Sequence, residues 1–69
     1  MSKEQFQAAV LEALKREDYA GDRSEEELID AMKEYQDIID GCFEEACSED
    51  SFGFGWHADN AAWNITMCI

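Results

Sequence analysis

The spacing of large apolar side chains changes once along this 69-residue chain, and that change sets its expected fold class. Phe6, Val10, Ala13 and Leu14 recur at helical intervals, and so do Leu28, Met32, Tyr35, Ile39, Cys42 and Ala46, in steps of four and three. Beyond Ser51 the period shortens to two. Phe52, Phe54 and Trp56 alternate with Gly53, Gly55 and His57, and Trp63, Ile65, Met67 and Ile69 alternate with Asn64, Thr66 and Cys68, across the turn-like run Ala58-Asp59-Asn60-Ala61. The pattern predicts an α+β fold in ααββ order, with two antiparallel helices packed on one face of a C-terminal antiparallel β-hairpin (strands about 52–57 and 62–68). A lone hairpin is marginal in water, so its apolar face is expected to cover the helices.

Both helices announce their starts. Ser2 followed by Gln5 forms a capping-box pattern, with Met1 and Phe6 placed as a hydrophobic staple, and Gly21 supplies a stop after Tyr19-Ala20. The first helix is placed at about residues 3–19. Ser24 followed by Glu27 repeats the pattern, and Glu25-Glu26-Glu27 suits the positive end of a helix dipole. Because the apolar register survives Gly41, the second helix is run from about residue 25 to 47, with an end at Gly41 as the alternative.

A chain of this length makes one small domain, spanning residues 1–69, and removes only about 60% of its extended surface from water on folding. Its 46% hydrophobic content and eight Phe, Trp and Tyr residues are too rich for a disordered acidic tail. The charged, amphipathic N-terminus does not read as a signal peptide, and no apolar run approaches the roughly 20 residues of a membrane span. The three cysteines are an odd number, with Cys42 and Cys47 on one expected helix, so a reducing cytoplasmic setting is the simpler reading. There, the glycosylation triplet Asn64-Ile65-Thr66 has no meaning.

The strongest functional signal is charge. The formal net charge is −12, and from Glu34 to Ile69 the chain holds eight carboxylates and neither lysine nor arginine. Such a field attracts basic partners and repels nucleic acid and anionic membrane. Opposite the core stripe of the second helix lie Glu27, Asp30, Glu34, Asp37 and Glu44, flanked by Glu26, Asp40 and Glu45, and the row continues into Glu49 and Asp50. Neighbouring carboxylates repel by a few tenths of a kcal/mol each, with only Lys33 placed to relieve them. These ten residues are the candidate partner-binding set, able to occupy guanidinium and ammonium sites otherwise offered to phosphates. The alternative is a small structural or metal-binding interaction module whose acidic face only confers solubility.

Other constellations are weaker. Cys42, Cys47, His57 and Cys68 have zinc-ligating atoms, but their separations match no compact structural zinc pattern, so no metal or other cofactor is expected. Gly53-Phe54-Gly55 lacks a third glycine and a following helix N-terminus, so it is not read as a phosphate loop. The outer hairpin face (Gly53, Gly55, His57, Ala62, Asn64, Thr66, Cys68) is small and uncharged, suited either to plain exposure or to cover by a partner or second copy. No activated serine, cleft-marking carboxylate pair or calcium-loop pattern is present, and an enzyme is not expected.

In size, acidity and the absence of a catalytic motif, the whole chain resembles small phage-encoded inhibitors of bacterial defence, of the anti-CRISPR and DNA-mimicking anti-restriction classes. That resemblance implies a stoichiometric inhibitor in the host cytoplasm that fills a basic nucleic-acid channel of a CRISPR or restriction complex and excludes DNA or RNA, without binding nucleic acid or membrane itself. An acidic adaptor with no nucleic-acid site as its target is a third reading, and monomer and homodimer stay open.

Overall fold

The computed structural model describes residues 2–48 and 53–69, and its elements are five helices: α1 (Lys3–Leu14), α2 (Glu17–Ala20), α3 (Glu25–Glu34), α4 (Gln36–Ser48) and α5 (Gly53–Cys68). There is no strand among the described residues, so the expected α+β fold with a C-terminal hairpin is incorrect. The segments expected as strands form one 16-residue helix, apart from Phe52, which lies outside the described residues.

The reason lies in which side chains α5 buries. Its inner face is His57, Ala58, Ala61, Ala62 and Ile65, a helical spacing carried mostly by alanine, while Trp56, Trp63 and Met67 are exposed. A pattern read from large side chains alone follows Trp56, Trp63 and Met67 and misses the buried stripe of small ones. Alanine is the strongest helix former, and Gly, Asn, Asp and Ala are all depleted in strands, so local preference also favours the helix. With Ala61 and Ala62 fully buried, α5 comes close to both α1 and α4 and forms the centre of the bundle.

Both capping boxes form. The Ser2 N–H donates to Gln5 Oε1 (2.9 Å) and the Gln5 N–H to Ser2 Oγ (3.2 Å); the Ser24 N–H donates to Glu27 Oε1 (3.3 Å) and the Glu27 N–H to Ser24 Oγ (3.2 Å). Each satisfies donors that a helix start leaves without an intrahelical acceptor. The staple expected between Met1 and Phe6 involves a residue outside the described ones.

The two expected long helices are each broken. The stretch of residues 3–19 turns at Lys15 and Arg16, where the Arg16 N–H donates to the Ala13 carbonyl and the Arg16 carbonyl accepts from Tyr19 and Ala20 to start α2. Gly21, at φ 60°, ends that turn in a conformation that favours glycine. The stretch of residues 25–47 breaks at Tyr35, which leaves helical geometry (φ −108°, ψ 36°), while α4 runs on through Gly41 to Ser48. The Tyr35 hydroxyl donates to the Cys68 carbonyl (3.3 Å), fixing the break against the end of α5.

The core is continuous. Phe6, Val10, Leu14, Leu28, Ile39 and Ile65 are fully buried, each contributing about 1.5–3 kcal/mol by leaving water. Phe6 meets Phe43 and Phe54 at centroid distances of 5.4 and 6.3 Å, joining α1, α4 and α5 through one aromatic group. No helix among the described residues is long and apolar enough to cross a membrane.

Candidate acidic interface

Lys3, Lys15 and Arg16 close ion pairs on the side of the molecule built by α1. Lys3 at the start of α1 pairs with Asp40 of α4, Lys15 pairs with Glu25 at the start of α3 (3.0 Å), and Arg16 pairs with Asp59 of α5 (2.5 Å). These pairs tie three different helices to α1 and its end. Hydrogen bonds from Lys3 and Gln36 hold the Asp40 carboxyl below its ordinary value, and the bond to Glu25 holds the Lys15 ammonium above its own.

Asp40 is therefore diverted from the acidic row. It is half-buried and engaged by Lys3 and by the Gln36 side-chain amide (3.1 Å), which also donates to Gln7 of α1 (3.1 Å). By contrast Glu26, Glu27, Asp30, Glu34, Asp37, Glu44 and Glu45 are all exposed. Glu27, Asp30 and Glu34 come together around a shallow depression of about 280 Å³ that Arg23, Ala31 and Ile69 complete. Within it Glu27 also serves its capping box, and Arg23 is held by the Ile69 carbonyl oxygen (3.0 Å).

Lys33 does not line this depression. It lines a separate groove between α1 and α3 with Gln7, Ala8, Leu11, Ile29, Met32 and Gln36. Because the helix breaks at Tyr35, the carboxylate row is two segments, Glu26 to Glu34 on α3 and Asp37 to Glu45 on α4. Glu49 and Asp50 lie outside the described residues.

The cysteines and the histidine are dispersed. Cys42 is in the core, where burial first and the Glu45 charge second push its thiol pKa up, whereas Cys47 and Cys68 are exposed. His57 is buried on the inner face of α5, its ring 5.0 Å from that of Trp56 and nearly perpendicular to it. Among the described residues, no group of three or more His, Cys, Asp or Glu side chains is placed to hold a metal ion.

One group escaped the sequence reading, which assigned Trp56 and Trp63 to the core. Both are half-exposed, at 49% and 50%, and with Tyr19, Asp59 and Asn60 they line a depression of about 130 Å³ on the outer face of α5. The Tyr19 hydroxyl donates to Asp59 Oδ2 (3.0 Å), and its ring lies 5.8 Å from that of Trp63. Burial, then the hydrogen bond to Asp59, raises the Tyr19 pKa. The sequence signal that could have revealed this group was the interval of seven between the tryptophans, two helical turns.

No family model, curated protein or solved structure matches this chain.

Proposed function

We propose that this protein is an acidic, stoichiometric inhibitor that occupies a basic nucleic-acid-binding surface of a bacterial CRISPR or restriction complex and excludes DNA or RNA from it, acting in the host cytoplasm. The observation that supports this reading is a surplus of exposed carboxylates. Lys3, Lys15 and Arg16 are paired at Asp40, Glu25 and Asp59, while Glu26, Glu27, Asp30, Glu34, Asp37, Glu44 and Glu45 of α3 and α4 stand exposed, three of them beside Arg23.

Lys and Arg groups arranged for phosphates accept carboxylates by the same charge-assisted hydrogen bonds, and bidentate geometry favours arginine. Carboxylates fixed on helices need little reordering on contact, and a net charge of −12 steers a basic surface toward them. The cost is mutual repulsion within the row, a few tenths of a kcal/mol per neighbouring pair.

A pull-down from bacterial lysate at low and at high salt, followed by competition with DNA for the captured protein, tests the reading. It expects a nucleic-acid-binding protein that is retained at low salt, released at high salt and displaced by DNA. Capture that DNA does not displace would point to an adaptor and refute the inhibitor reading.

A further inference from the structure

We propose that the depression between Trp56 and Trp63 receives an arginine side chain of a basic protein partner, with the guanidinium stacked on the indoles and donating to Asp59. This site is separate from the α3 and α4 carboxylates and does not rest on the function proposed for them.

Trp56, Asn60, Trp63 and Met67 follow one another at intervals of four, three and four on α5, so they form one stripe on its outer face. Asp59 is the single acidic or basic residue of that helix apart from His57, and the depression between the tryptophans opens over it. Tyr19 of α2 closes one side, tilted 50° to the Trp63 ring. Aromatic rings beside a carboxylate favour a cation, because ring quadrupoles and the anion act in the same direction, and here they do so against the Arg16 charge already paired with Asp59.

Asp59 retains capacity for such a guest. A carboxylate offers about four acceptor positions, and Arg16 and the Tyr19 hydroxyl take one each. Asp59 lines two depressions: Arg16 reaches it from the α1 side, within a depression shared with Ala9, Glu12, Ala13, Gly55 and Ala58, and does not line the one between the tryptophans.

Charge and shape select the occupant. The net charge of −12 concentrates cations at the surface and opposes docking of a second copy, and an apolar guest would bury Asp59 beneath it without supplying donors. Arginine is favoured over lysine because its guanidinium is planar, weakly hydrated and stacks on aromatic faces while donating sideways.

Trp56 and Trp63 are the only two tryptophans of the chain, so intrinsic tryptophan fluorescence reports this depression alone. The experiment titrates the full chain with a capped tri-arginine peptide and with its tri-lysine counterpart, at salt high enough to screen the general field. The expected result is saturable quenching with tighter binding of the arginine peptide. Trp63→Leu should weaken it about fivefold, read from Trp56, and Trp63→Phe should retain most of it. Glu34→Lys/Asp37→Lys should leave both affinities and the arginine-to-lysine ratio nearly unchanged at this salt, which separates this site from the acidic row. Equal binding of the two peptides would overturn the proposal, as would an arginine affinity unchanged in Trp63→Leu. A dimer in sedimentation that Trp63→Leu abolishes would assign the face to a second copy and also overturn it. If Trp63→Leu does not fold, Trp56→Leu and the peptide ratio on the parent chain decide.

Discussion

Replacing Gly41 by alanine should stabilise the protein. Gly41 is the sixth of the 13 residues of α4, it has no positive φ, and a Cβ built on it meets nothing within 4 Å. The substitution therefore adds no clash and removes the entropic cost of glycine inside a helix, a gain of about 0.8–1 kcal/mol. Against a total stability of about 3–10 kcal/mol for a domain of this size, that is a large fraction. The melting temperature should rise by about 4–8 °C per kcal/mol, followed by far-UV circular dichroism. The urea midpoint should rise in parallel with an unchanged slope, because the surface exposed on unfolding does not change. Gly21→Ala is the control of opposite sign. At φ 60° it places a Cβ in the left-handed region and should cost about 1–2 kcal/mol even though its surroundings are open. A Gly41→Ala chain that melts lower than the parent would show that α4 does not pass through this position as a helix.

Ile65→Ala, at a fully buried position on the inner face of α5, should destabilise by about 2–5 kcal/mol in a urea titration, whereas Met67→Ala on the exposed stripe should stay within about 0.5 kcal/mol. Iodoacetamide should alkylate Cys47 and Cys68 in the native protein and Cys42 only after denaturation, as peptide mass mapping would report, since burial both covers the Cys42 thiol and raises its pKa. The Asp40 carboxyl is held below its ordinary value by Lys3, so the pair stabilises the fold above the ordinary carboxylate range, and that contribution is lost as pH falls through the depressed value. Lys3→Met should therefore flatten the loss of stability with acid that the parent shows in melts across that range.

What the sequence made legible, and what it hid, follows from the range of the interactions involved. Ser2 with Gln5 and Ser24 with Glu27 are contacts three residues apart, and both helix starts formed as their residues implied. The break at Tyr35 left no such mark. No glycine or proline stands there, and the apolar steps from Met32 through Tyr35 to Ile39 keep helical register; what distinguishes Tyr35 is a hydrogen bond to Cys68, distant in sequence. The hairpin reading failed because large side chains were taken to mark the core, whereas α5 buries Ala58, Ala61 and Ala62 and turns Trp56 and Trp63 outward. At the acidic face, the exposure of Glu27, Asp30 and Glu34 follows from helical spacing and was readable. The diversion of Asp40 to Lys3, and of Lys33 to the α1 groove, emerges only from the tertiary arrangement.

The central claim is that the α3 and α4 carboxylates carry recognition of a basic partner. Its most direct test is the association rate of the captured partner with the parent chain and with Glu34→Lys/Asp37→Lys, measured across a range of ionic strength with circular dichroism confirming the fold. Screening lengths of about 10 Å at moderate salt make steering by exposed charges strongly salt-dependent. The parent should associate fast at low salt with a steep decline, and the variant slowly with a shallower one. Equal rates and equal salt dependence in the two chains would contradict the claim.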